Sequence, residues 1–162
     1  MAELDKIDNN ILKILAVDGR ISVTELSKRV GLSKTPCQIR MKRLQKNGFI
    51  LGFRAIIDPN KMDAGHVAFI NVTLSETTSK ALNHFNEAVR AISEIEQCHM
   101  IASNFDYLLK VRTKNIADYR VILGEKISSL PYVSHTSTFV VMETVKDVNV
   151  RKIKREKHQA GD

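Results

Sequence analysis

The chain has 162 residues, 43% of them hydrophobic, and a formal charge of +7. That length and hydrophobic fraction allow one domain or two small ones and exclude disorder throughout. No run approaches the roughly 18 apolar residues of a membrane span, and MAELDKIDNN has neither the basic start nor the apolar core of a signal peptide, so a cytoplasmic protein is expected.

The charge is unevenly placed. Residues 1–60 hold 11 Lys/Arg against 6 Asp/Glu, residues 61–145 hold 8 against 9, and residues 146–162 hold 6 against 3. A general preference for polyanions does not predict a near-neutral middle, whereas a DNA-binding head on a separate module does. Cys37 and Cys98 are too few and too separated for a disulfide framework or a zinc site, and are expected to be reduced structural thiols.

In chain order, Leu4, Ile7, Ile11, Ile14 and Leu15 follow helical spacing, with Asp5 and Asp8 near the positive end of the dipole. Asp18-Gly19-Arg20 breaks this helix. Ser22 and Glu25 have the spacing of a capping box, which predicts a second helix from Val23 with Leu26 and Val30 on its apolar face and Gly31 as its stop. Thr35 as N-cap, Pro36 at the first helical position and Gln38 closing the box predict a third helix. Cys37, Met41 and Leu44 form its inward stripe. Facing outward are Thr35, Ile39, Lys42, Arg43 and Lys46, with Gln38 and the turn residues Ser33 and Lys34 beside them.

A Lys/Arg-rich helix face is most often only solvated. A capped helix and a short glycine-containing turn before it make a helix-turn-helix at about residues 23–42, and this face then meets the needs of a major groove. Lys42, Arg43 and the helix N-terminus around Ser33, Lys34, Thr35 and Pro36 can hold phosphates, Gln38 can read a base edge, and Ile39 can touch a thymine methyl or lie idle. After Asn47-Gly48, residues 49–57 (FILGFRAII) read as an extended strand or wing leading to a linker.

From His66 the period becomes two, with Ala68, Ile70, Val72 and Leu74 on one face and Val67, Phe69, Asn71 and Thr73 on the other. A helix with Leu82, Phe85, Val89 and Ile92 inward follows. Residues 96–102 and 107–113 read as strands split by a tight turn, Asn115 caps a helix with Ile116, Tyr119, Leu123, Ile127 and Leu130 inward, and residues 133–142 read as the last strand. The order β-α-β-β-α-β is a ferredoxin-like split βαβ unit. Both strand faces are apolar but two helices cover only one, so a homodimer is expected, with paired heads on half-sites ~34 Å apart or a multiple of it. The fold class is therefore α+β: a three-helix winged helix-turn-helix domain (1–62, with its strand linker), a ferredoxin-like domain (63–146), and a basic tail (147–162) that is either disordered and solvated or adds nonspecific phosphate contacts.

An enzyme reading would use Cys98, His99 and Asp106, a thiol beside an imidazole being the start of a nucleophilic pair. Adjacent strand residues point to opposite sheet faces, so Cys98 and His99 cannot meet, and catalysis is not expected.

Several stretches together resemble the leucine-responsive/asparagine-synthesis regulator (Lrp/AsnC) family of transcription factors: LDKIDNNIL (4–12), DGRIS (18–22), ELSKRVGLS (25–33), TPC (35–37), GFI (48–50), FDYLLK (105–110), LGE (123–125) and VVME (140–143). The resemblance covers residues 4–146. It implies a helix-turn-helix head, a small-molecule-binding ferredoxin-like (RAM) module, dimers that often assemble into octamers, and amino-acid effectors bound between modules of neighbouring dimers. By position it implies an effector loop at Ala102, Ser103, Asn104 and Asp106, followed by Tyr107, with Met100 and Phe139 among the apolar positions around the response site and assembly interface. Asp106 matches a residue that sustains the response to effector. Ser103 stands where the family has glycine, which predicts weakened or altered effector specificity. NFDYLLKVRT with GEKISSLP is most similar to the family's activators of proline catabolism, which respond to proline; general leucine-responsive regulation is the alternative, and an effector-independent architectural DNA-binding protein of the nucleoid is another class. No cofactor is implied beyond the amino acid, and no membrane partner.

Overall fold

The computed structural model describes residues 3–147, so the reading of the tail from residue 148 lies outside the described residues. The chain divides into two compact units between Ile56 and Ile57.

In the first unit, helix α1 (Lys6–Val17) opens with a reciprocal cap. The Asp5 carboxylate accepts from the Asp8 N–H at 2.8 Å, and the Asp8 carboxylate accepts from the Asp5 N–H at 3.3 Å. Helix α2 (Val23–Val30) has the predicted Ser22 cap, whose hydroxyl accepts from the Glu25 N–H at 3.1 Å. The return half of that box is absent, because Glu25 instead accepts from Arg29 Nε at 3.0 Å. Gly31 ends α2 with φ 71°, where the Leu32 N–H reaches back to the Ser27 carbonyl.

Helix α3 (Lys34–Lys46) begins earlier than the sequence signal predicts. Its N-cap is Ser33, since the Cys37 N–H already bonds the Ser33 carbonyl, and the expected Thr35–Gln38 box does not form. Pro36 becomes the third helical position. It is tolerated there because the first-turn N–H groups have no intrahelical acceptor in any case. Ile11, Leu15, Leu26, Cys37 and Leu44 form the shared core of the three helices.

Residues 49–57 do not form the expected strand or wing ladder. Leu51 is 95% exposed, and Phe53, Ile56 and Ile57 are exposed too. An apolar extended segment becomes a strand only when another strand takes its N–H and C=O groups, and the described part of this unit holds no strand.

The second unit has the predicted order: β1 (His66–Leu74), α4 (Ser79–Arg90), β2 (Ile95–Met100), β3 (Tyr107–Thr113), α5 (Ile116–Ile122) and β4 (Val133–Val140). The four strands pair antiparallel in the spatial order β2-β3-β1-β4. β1, held on both sides, carries Ala68, Ile70, Val72 and Leu74 into the core, where they meet Leu109 and Val111 of β3 and Phe85 and Val89 of α4. Asn115 caps α5 as expected, accepting from the Asp118 N–H at 2.9 Å. Ile116 departs from its expected inward place: as the first residue of α5 it lies beyond the core and is exposed. A five-residue π turn, Leu123–Ile127, follows α5 and buries Ile127. Among the described residues no helix is long and apolar enough to cross a membrane.

The opposite sheet face has no helix. Phe69 lies opposite Phe139 and Lys110, and Asn71 opposite Leu108. Lys110 (3.1 Å) and Arg112 converge on the Glu96 carboxylate, so this face carries an ion-pair network beside its apolar residues.

The Phe85 ring is fully buried, 4.4 Å from that of Tyr107. Phe85→Ala is expected to lower the stability of the second unit by about 3–5 kcal/mol, read from urea unfolding.

Candidate nucleic-acid interface and effector region

Because Cys37 and Leu44 point into the core, α3 turns a continuous face outward. Ser33, Lys34, Thr35, Pro36, Gln38, Ile39, Lys42, Arg43 and Lys46 are all exposed. Ile39 is 62% exposed. The Ser33 hydroxyl makes no capping bond, which leaves the first amides of α3 at the positive end of its dipole. Among the described residues Lys34, Lys42 and Lys46 are in no ion pair.

Arg43 differs from these lysines. Its guanidinium donates to Asp8 Oδ2 at 2.5 Å while remaining half-exposed. Arg40, absent from the residues singled out in the sequence, donates to Asp5 Oδ2 at 2.5 Å and to Asp8 Oδ1 at 2.9 Å. The signal was present as two arginines three apart on one helix and two aspartates three apart on another, but their pairing is a long-range contact. The Asp8 N–H, and after it the Arg40 guanidinium, hold the Asp5 carboxyl below the usual carboxylate range. Asp5 and Asp8 in turn push Arg40 further up.

In the second unit residues 102–106 form the loop between β2 and β3, closed by the Ile101 N–H on the Asp106 carbonyl. Asp106 Oδ2 accepts from the Leu74 N–H at 2.7 Å, and the Asp106 N–H donates to the Val72 carbonyl at 2.9 Å. That carboxylate satisfies an amide beyond the end of the β1–β3 ladder, at Val72 and Tyr107. Ala102, Ser103 and Asn104 are exposed, and the Ser103 hydroxyl bonds Asn104 Oδ1 at 3.0 Å. Ser103 is not among the residues with positive φ, so its backbone needs no glycine.

The seven residues assigned to the effector do not converge within one chain. Tyr107 is 2% exposed and its ring lies in the core. Met100, opposite Tyr107, ends edge strand β2, whereas Phe139 lies on the other edge strand, β4, on the face without helices. Cys98 pairs with Leu109 and His99 with Leu108, so they occupy opposite faces as expected. Burial pushes the Cys98 thiol above its ordinary value, away from the reactive thiolate.

Residues 4–50 match a winged helix-turn-helix DNA-binding domain, and residues 67–150 match the Lrp/AsnC ligand-binding domain. The chain belongs to the Lrp/AsnC family.

This Lrp/AsnC regulator is 62% identical over 148 residues to a proline dehydrogenase transcriptional activator of Rhizobium radiobacter, covering 91% of the chain and 95% of that protein. It is 48% identical over 147 residues to the leucine-responsive regulatory protein of Escherichia coli K12, covering 91% and 90%. A crystal structure of a transcriptional regulator from Neisseria meningitidis with L-methionine superposes with a TM-score of 0.84 at 30% identity, covering 90% and 94%. The protein is thus a DNA-binding transcriptional regulator with a ligand-binding module, not an enzyme.

The lowered Asp5 pKa sets an acid limit on the head. A carboxylate depressed in the folded state contributes stability above its unfolded pKa, about 3.9, and loses it as pH falls through the folded value. Asp5→Asn keeps a capping side chain but removes the charge. Melting curves between neutral and strongly acidic pH are expected to show the variant less stable at neutrality and less sensitive to acid than wild type.

Proposed function

We propose that this regulator activates a proline dehydrogenase gene in response to proline. The observation that carries the reading is the 62% identity, over nearly the whole chain, to an activator of that name. A Rhodobacter capsulatus protein of the same name is 49% identical over 90% of the chain. Leucine-responsive regulation is the second reading, supported by 48% identity to the Escherichia coli protein.

The head, residues 1–62, grips the duplex with α3. Lys42, Arg43, Lys46, Lys34 and the amides after Ser33 hold phosphates, Gln38 reads a base edge, and Ile39 and Thr35 face the groove floor. Residues 63–146 bind an amino acid. Loop residues Ala102, Ser103, Asn104 and Asp106 present polar groups, and Met100 and Phe139 supply apolar surface from different copies, since one chain does not bring them together. Phe69, Leu108 and Phe139 on the helix-free face favour a homodimer, with octamers as the larger assembly. The protein works in the cytoplasm, on the nucleoid. Ser103, at an ordinary backbone conformation, leaves room for a ligand that avoids the closest approach to the loop backbone.

Lys42→Ala is expected to weaken binding to every duplex and to lower the slope of log affinity against log salt by about 1. Gln38→Ala is expected to change which duplexes are preferred. Fluorescence anisotropy on the promoter of a proline dehydrogenase gene and on unrelated sequence measures both, and equal losses on all sequences for Gln38→Ala would remove it as a base reader.

L-proline at 100 times its Kd is expected to stabilise the protein by about 2.7 kcal/mol in a thermal-shift assay, with L-leucine giving less. A larger shift with leucine selects the second reading. No shift with any amino acid selects an effector-independent architectural protein.

A further inference from the structure

Among the described residues Asp8 is the only buried charged side chain, yet it lies in the first turn of α1. Every bond it accepts is known: from Arg40 at 2.9 Å on Oδ1, and from Arg43 at 2.5 Å and the Asp5 N–H at 3.3 Å on Oδ2. Its two arginines are not equivalent. Arg40 is a quarter exposed and also binds Asp5, so it is committed to the fold on both sides. Arg43 is 49% exposed and has one donor on Asp8. A guanidinium carries five N–H donors in a rigid fork, so Arg43 keeps others free.

Replacing a buried ion pair by apolar residues is often neutral or stabilising, so Asp8 is not explained by stability alone. The position of Arg43 gives another reason. In helical projection Thr35, Ile39, Lys42 and Lys46 occupy the middle of the outward face of α3, and Arg43 lies on its flank next to Arg40, the flank that α1 holds. A cation on the flank of a helix seated in a major groove lies beside a sugar-phosphate wall.

We propose that Asp8 is a positioning residue for DNA binding: it holds the Arg43 guanidinium so that its free N–H groups meet a backbone phosphate, giving a carboxylate–guanidinium–phosphate relay. This rests on the reading of α3 as the helix that enters the groove. Asp8 touches no DNA itself. Its effect is to restrict the rotamers of a long side chain before the duplex arrives, which lowers the entropic penalty of the contact. Arg40 keeps Asp8 compensated when Arg43 is shared with a phosphate.

The test uses the full-length protein and a labelled duplex, with affinity measured across a salt series. Asp8→Asn is expected to weaken binding roughly three- to tenfold, the scale of ordering one long side chain, with the salt slope unchanged because Arg43 still reaches its phosphate. Arg43→Ala is expected to weaken binding further and to lower the slope by about 1. The double variant should bind no worse than Arg43→Ala.

Asp8→Asn removes a negative charge, so bulk electrostatics alone would tighten binding; equal or tighter binding overturns the proposal, as does additivity in the double variant. If wild type binds no duplex, the parent reading fails instead. If Asp8→Asn does not fold, arginine side-chain NMR on DNA-free wild type decides: the Arg43 guanidinium should show hindered rotation, and free rotation overturns the proposal.

Discussion

Each unit of this protein uses one paired carboxylate, buried in the first and half-buried in the second, to join distant segments. In the first, Asp8 is fully enclosed and takes Arg40 and Arg43 from α3 as partners. In the second, Asp106 takes the Leu74 N–H that the β1–β3 ladder leaves over. Each joins parts distant in sequence, α1 to α3 and the β2–β3 loop to the central strand.

Around Asp8, α3 divides its residues by direction. Cys37 and Leu44 close the core, Arg40 and Arg43 turn towards α1, and Thr35, Gln38, Ile39, Lys42 and Lys46 are left for solvent or DNA. Arg40 is held by both Asp5 and Asp8, whereas Arg43 is half-exposed and has one donor on Asp8. A narrow band of cations around an exposed aliphatic residue favours a groove with bases at its floor over a featureless polyanion.

The ligand-binding unit shows the opposite economy, with surface that a single chain leaves unused. Its sheet covers one face with α4 and α5 and leaves Phe69, Leu108 and Phe139 on the other, while the residues assigned to the effector are spread over both edge strands. Residues 49–57, which run to the boundary between the units, expose Leu51, Phe53, Ile56 and Ile57 without a strand partner.

The sequence by itself determined the element order, the Ser22, Gly31 and Asn115 caps, the inward stripes of β1 and α4, the separation of Cys98 from His99, and the outward face of α3. All of these follow from periodicity or from bonds spanning a few residues, which any local window contains. Tertiary structure decided the rest. It turned Arg43 towards Asp8, put the Tyr107 ring against Phe85, left residues 49–57 without a ladder, and kept Met100 apart from Phe139. Each of these depends on which groups far apart in the chain come within bonding distance, and periodicity carries no record of that.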